Sequence, residues 1–330
     1  MTRQAEAGGA PMPHKGFYTQ GLIILLRAAA PLQAIEDSLR DFNVVKRIED
    51  SSHWTIGGPS VVVPYRPDVN GYVAVDTVDR PWPDSMGDPK ADPEVFAGWS
   101  MGQFGPGTWP GGLERACQQS WGWPDGRSIP LAHQAFVRIR SSYGFGAADD
   151  APVMPGDYDP VKELEFVTRV AGALVGLPDV LCFFNPNGEC VKSASQFLEA
   201  LNRSAEQLPL DLWSNVRLFR FTDTEPEWVL MDTVGMSQLD VSDHEACFPP
   251  DAYDPNEVAG FLRDVSLYVV EQRPVIRDGD TVDGPGDTKW QGFNLDEGRV
   301  APPREVIRWL PLDGREAPPE LRPSSAQGTA

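Results

Sequence analysis

The sequence predicts an α+β protein, with mixed or antiparallel β-sheets and helices packed on them. Three observations lead there. Short apolar runs are closed by Gly, Pro and Asn turns, as in antiparallel sheets. Two helices open on Tyr-Asp-Pro, at Tyr158-Asp-Pro160 and Tyr253-Asp-Pro255. The first elements run β-α-β-β rather than strictly alternating strand and helix, which disfavours a parallel doubly wound sheet. The repeated helix start also admits two related lobes.

Residues 1–15 read as a disordered tail, and 16–150 as an N-terminal α+β lobe. Its first strand is 21–27, where Leu22-Ile-Ile-Leu-Leu26 is too short for a signal core or a membrane span. A helix follows with Leu32, Ile35, Leu39 and Phe42 on one face. His53–Ile56, Ser60–Tyr65 and Tyr72–Val78 read as strands, the last two joined by a turn at Asp68-Val-Asn-Gly71. Residues 76–126 hold five of the ten Trp (Trp82, Trp99, Trp109, Trp121, Trp123) among dense Pro and Gly, with short helices near 93–100 and 111–121. Such a long loop is pinned by its aromatic anchors, either only to fasten it or to build a recognition pocket. His133–Ser141 is the next strand.

Residues 151–312 read as a C-terminal acidic lobe and 313–330 as a Pro-rich tail. A helix runs from Asp159-Pro160 to about Val175. Val180–Phe184 is a strand, Asn185-Pro-Asn-Gly188 a turn, and Ser193-Ala-Ser-Gln196 a capping box that opens another helix. Trp213–Phe221 and Trp228–Met231 form a hairpin around the polar Thr222–Glu227. The helix from Asp254 then places Val258, Phe261, Leu262, Val265, Tyr268 and Val269 on one face before Pro274 stops it. Arg304–Leu310 is the last strand.

The chain carries 48 acids against 28 Lys and Arg, a net charge of −20. The excess is regional, with seventeen acids and thirteen bases in residues 1–150 but thirty-one and fifteen in 151–330. This charge excludes phosphate-driven nucleic-acid binding and anionic membranes. It fits either plain solubility or a surface that steers a basic partner. The four cysteines (Cys117, Cys182, Cys190, Cys247) lack metal spacing and read as free thiols of a cytoplasmic protein.

No catalytic motif survives its context. Gly98-Trp-Ser-Met-Gly102 spells a nucleophile elbow, but the Gly- and Pro-rich residues after it cannot start the required helix. Asp278-Gly-Asp-Thr-Val-Asp-Gly284 lacks the ligand order of a calcium loop and reads as a tight turn whose Asp side chains bond local amides. Asp79, Asp84, Asp88 and Asp92 read as turn caps, and His244 as a solvated surface histidine. No cofactor is expected.

The runs Leu210-Asp-Leu-Trp-Ser-Asn-Val-Arg-Leu-Phe219, Met231-Asp-Thr-Val-Gly-Met236 and Pro274-Val-Ile-Arg-Asp-Gly-Asp-Thr-Val282 resemble an uncharacterised bacterial family, domain of unknown function 4261. The resemblance covers roughly 205–284, and Val78-Asp-Arg-Pro-Trp-Pro-Asp84 looks like upstream sequence of longer members. It implies a shared fold and a bacterial origin, and it brings no catalytic residues.

The functional expectation is therefore a non-enzymatic cytoplasmic protein-binding protein, in its sharpest form an immunity protein masking a secreted bacterial toxin, such as a type VI secretion effector. The expected contact surface is Asp240, Asp243, Glu245, Asp251, Asp278, Asp280 and Asp283, with Trp82 and Trp109 as anchors. The rivals are a secretion adaptor or chaperone for an effector, and a metal-dependent enzyme using the Asp-rich loops.

Overall fold

The structure is a computed structural model that describes residues 15–49, 53–147, 152–221, 227–273 and 276–322. In chain order the elements are β1 (Gln20–Leu26), α1 (Leu32–Ser38), β2 (Lys46–Ile48), β3 (Ser60–Arg66), β4 (Gly71–Val78), α2 (Pro93–Ser100), α3 (Gly112–Gln118) and β5 (Ala135–Ser142). There follow α4 (Pro160–Leu174), β6 (Val180–Asn185), β7 (Cys190–Lys192), α5 (Ala194–Arg203), α6 (Leu210–Trp213), β8 (Asn215–Phe221) and β9 (Trp228–Val234). The chain ends with β10 (Asp243–Phe248), α7 (Pro255–Gln272), β11 (Thr281–Gly284), β12 (Thr288–Leu295) and β13 (Val306–Pro311). The expected α+β class holds.

Seven strands form an antiparallel sheet in the order β2-β3-β4-β5-β1-β6-β7. Leu22, Ile24 and Leu26 point to one face, where α1 and α4 lie; Ile23 and Leu25 point to the other, under Trp82, Trp99, Phe104 and Trp123 of the loop after β4. Cover on both sides explains why β1 is a continuous apolar run. Trp82 meets Trp99, Phe104, Phe136 and Phe184 edge-on, with ring centroids 5.5 to 6.0 Å apart. Fastening is therefore what Trp82, Trp99 and Trp123 do, whereas Trp109 and Trp121 are exposed.

The second sheet has the order β11-β12-β13-β10-β9-β8, antiparallel except for the parallel pair β10–β13. Helix α7 covers one face through Val258, Phe261, Leu262 and Val265, against Ala246, Phe248 and Trp309. The two sheets share a core. Leu212, Trp213, Met236, Leu239, Val269 and Val270 join the cluster formed on the first sheet by Leu22, Ile24 and Leu26 with Val137 and Leu164.

Several expectations change. The boundary at 150/151 cuts the first lobe, because β6 and β7 extend its sheet beside β1. The parallel β10–β13 pair has no counterpart in the first sheet, so the likeness between lobes reduces to an Asp-capped helix after a strand meander. His53–Ile56 is a turn, and the exposed edge strand is Lys46–Ile48. Trp213 ends the short α6 instead of opening a strand, and β10 stands where a surface histidine was expected. Lys15 is anchored rather than part of a loose tail: its ammonium lies 2.8 Å from Asp240 and donates to the Tyr158 hydroxyl. Ala317 and Leu321 of the C-terminal segment are buried against Trp228, Leu230 and Cys247. Thr222–Pro226 of the hairpin loop and Pro274 lie outside the described residues.

Local caps were legible. Ser193 and Gln196 close a full capping box. The Asp159 carboxylate accepts from the Val161 and Lys162 amides, and Asp254 accepts from the Asn256 amide. Replacing either aspartate by Ala should lower stability by about 1 kcal/mol, read as a reduced urea midpoint at unchanged slope.

Candidate functional site

Between α7 and β11 a groove of about 570 Å³ has an apolar floor and an acidic rim. Phe261, Val265 and Tyr268 reach it from the helix, at the i, i+4, i+7 spacing that lines one face, and Ile276 and Val282 from the other wall. Tyr268 is 50% exposed, unusual for an aromatic ring seated among apolar neighbours. Asp264, Asp280 and Asp283 form the rim. The turn that holds the latter two is built locally. Gly279 sits at φ +87°, the Asp280 carboxylate accepts from the Arg277 amide, and Asp278 accepts from the Asn294 amide. Asp283 pairs with Lys289 at 2.7 Å, both exposed, so that pair holds little energy and yields readily to a competing cation.

Of the acids expected on a contact face, Asp280 and Asp283 line this groove; Asp278 is in the same turn but bonds Asn294, and Asp251 is exposed elsewhere, 3.8 Å from Arg315. Asp240 is mostly covered and paired with Lys15. Asp243 and Glu245 are buried, as is Trp82, so none of these three can meet a partner at the surface. The reason is strand geometry: on β10, Asp243 and Glu245 point to the sheet face opposite α7, where Arg304, just before β13, and Arg308 on β13 meet them.

Those contacts form a network of four carboxylates and four guanidiniums. Arg115 donates to Glu189, which also takes Arg217; Arg217 makes a two-point pair with Asp232 at 2.9 and 2.6 Å. Arg304 donates to Asp232 at 2.6 Å and lies 3.3 Å from Asp243. Arg308 grips Glu245 through Nε and Nη2. Strand register produces this arrangement, since Arg217, Asp232, Glu245 and Arg308 are successive partners across β8, β9, β10 and β13. Burial pushes the Glu189 and Asp243 carboxyls above the ordinary range although arginines oppose it. Burial also works against the charge on Arg217, yet Asp232 and Glu189 outweigh it and raise its pKa. The network ties the lobes together and leaves its carboxylates occupied.

Other motifs resolve plainly. Ser100 closes α2 and donates to the Phe96 carbonyl, the geometry of a helix end and not of a nucleophile elbow. Asp84 accepts from the Leu113 and Glu114 amides at the start of α3, and Asp88 from Lys90 and Ala91. His244 is fully buried. All four cysteines are free and buried. Among the described residues no group of three or more His, Cys, Asp or Glu side chains is placed to hold a metal ion, and no helix is long and apolar enough to cross a membrane.

Fold and groove together define an α+β protein with an open, acid-rimmed groove on its second sheet. Residues 232–310, from β9 through β13, match the family described as Domain of unknown function (DUF4261). The resemblance read from the sequence thus holds, with the matched region lying further along the chain than 205–284 and containing both α7 and β11. Neither a curated protein nor a solved structure matches the chain.

Proposed function

We propose that the protein acts by binding another protein, and that the groove between α7 and β11 receives a basic segment of that partner. The supporting observation is the pairing of a half-exposed Tyr268 over an apolar floor with a rim of Asp264, Asp280 and Asp283. Apolar floors hold anchor side chains, and a negative rim speeds encounter with a cationic surface. In its specific form the protein is a cytoplasmic immunity protein of bacterial origin that masks the basic cleft of a secreted toxin.

The test starts from the gene neighbourhood, where this reading expects a toxin-like reading frame whose product is then used. Co-expression should restore growth of cells making that product. Affinity measured by calorimetry should fall as NaCl is raised from low to high concentration, because salt screens exposed charges. Asp280→Lys with Asp283→Lys should weaken binding by about tenfold or more. Salt-independent affinity, unaffected by these changes, would fit instead an adaptor that grips its cargo through apolar surface.

A further inference from the structure

A second cavity, of about 710 Å³, lies over the part of the first sheet that the Trp-rich loop leaves uncovered. Its walls are apolar, and four of the residues that form them are strongly exposed: Phe17 at 46%, Val45 at 51%, Ile48 at 36% and Ile56 at 52%. Its floor carries a charge opposite to that of the molecule. Asp76 on β4 accepts from both Arg138 and Arg140 of β5, so this buried trio has one positive charge in excess. Lys46 lines the same cavity from the edge strand β2.

Arg140 is the cation facing the cavity. Its guanidinium sits 4.0 Å from the Tyr18 ring centroid and donates to the Gln103 and Ile56 carbonyls. Although the side chain is 2% exposed, no group among the described residues accepts from its Nε. Beside it, Gly57 presents no side chain, and a Cβ built there would rest in ordinary contact with Arg140 Nη2, at 3.9 Å. Burial and the neighbouring Arg138 lower the Arg140 pKa to about 10, which leaves it charged at neutral pH. A cation excess held in an apolar recess of a protein with net charge −20 is costly unless an anion completes it.

We propose that this groove binds a small amphipathic carboxylate, its head group beside Arg140 and Gly57 and its apolar body against Phe17, Ile48 and Ile56. The cavity volume lies within the range of small-molecule sites.

The probe is decanoate, titrated calorimetrically into the full chain. A single saturable site at sub-millimolar concentration is expected, with 1-decanol, the same chain without the charge, binding about tenfold more weakly. Ala74→Trp fills the groove floor from a half-buried position outside the ion cluster and should abolish binding. Lys46→Glu, at an exposed edge, should weaken decanoate and leave decanol unchanged. Arg140→Met should erase the preference for decanoate; should that variant fail to fold, Ala74→Trp and Lys46→Glu decide. The proposal is overturned by absence of saturable decanoate binding, by equal affinity for decanol, or by binding that survives Ala74→Trp.

Discussion

Arg217→Met should cost on the order of 3–5 kcal/mol of stability, the loss expected when one partner of a buried ion pair is removed. The guanidinium is fully buried and holds Glu189 of the first lobe at 2.9 Å and Asp232 of the second at 2.6 Å. Without it both carboxylates stay buried with less positive charge around them, and Glu189 already rests above its ordinary pKa because of burial. Arg115 and Arg304 remain beside them but cannot replace the lost cation. Glu189→Gln alone removes one negative charge, and in the double variant the two losses compensate. The pair should therefore cost clearly less than the sum of the single changes, with a coupling of about 1 kcal/mol or more. Urea unfolding reads all three, as one transition, since residues of both lobes share a core. A single-variant cost under about 1 kcal/mol would mean that water enters this network and that the lobes are joined by packing alone.

How much of this was legible in the sequence follows from the range of each interaction. Caps and turns depend on residues two to four apart, so Asp159, Ser193, Asp254 and the turn before Gly71 could be read directly. Strands with apolar side chains on both faces, such as β1 and β9, were visible because burial leaves a continuous run. Strand β10 was not. Asp243-His-Glu begins it with three polar residues, and what makes them core residues is supplied from other parts of the chain, by Arg304 for Asp243, Trp309 for His244 and Arg308 for Glu245. A signal did exist in the partners, because Arg217 and Arg308 each sit within an apolar strand pattern, where an unpaired cation would be unfavourable.

The candidate site divides in the same way. Asp278, Asp280 and Asp283 are close in sequence, and their clustering follows from one turn. That Tyr268 and Asp264 complete a groove with Asp280 and Asp283 depends on where α7 crosses the sheet edge, which no local pattern encodes. The Arg140 cavity is not legible from the sequence at all. Its floor pairs Asp76 of β4 with Arg138 of β5, 62 residues apart, and its opening exists because the Trp-rich loop covers only part of the sheet.

His244 should make the protein sensitive to acid. Its ring is fully buried, Trp309 Nε1 donates to Nδ1 at 3.2 Å, and burial pushes the pKa down to about 3. The folded state thus keeps the imidazole neutral while the unfolded chain protonates it near its ordinary value of 6.5. Stability from this group is complete above pH 6.5 and falls as pH drops toward 3, by up to about 1.4 kcal/mol per unit. His133, also buried and lowered, acts in the same direction. Glu163, raised by burial, opposes both: its proton is held more tightly in the fold, so its contribution grows on acidification. Comparing the protein with His244→Leu cancels these shared terms. The variant should be less stable at about pH 7.5, because the buried Trp309 N–H loses its acceptor. That deficit should then shrink by roughly 2 kcal/mol by about pH 5, as only the parent pays for keeping a neutral imidazole. Urea midpoints at several pH values would show the two curves converging; curves that stay parallel would mean that the ring takes up its proton inside the fold.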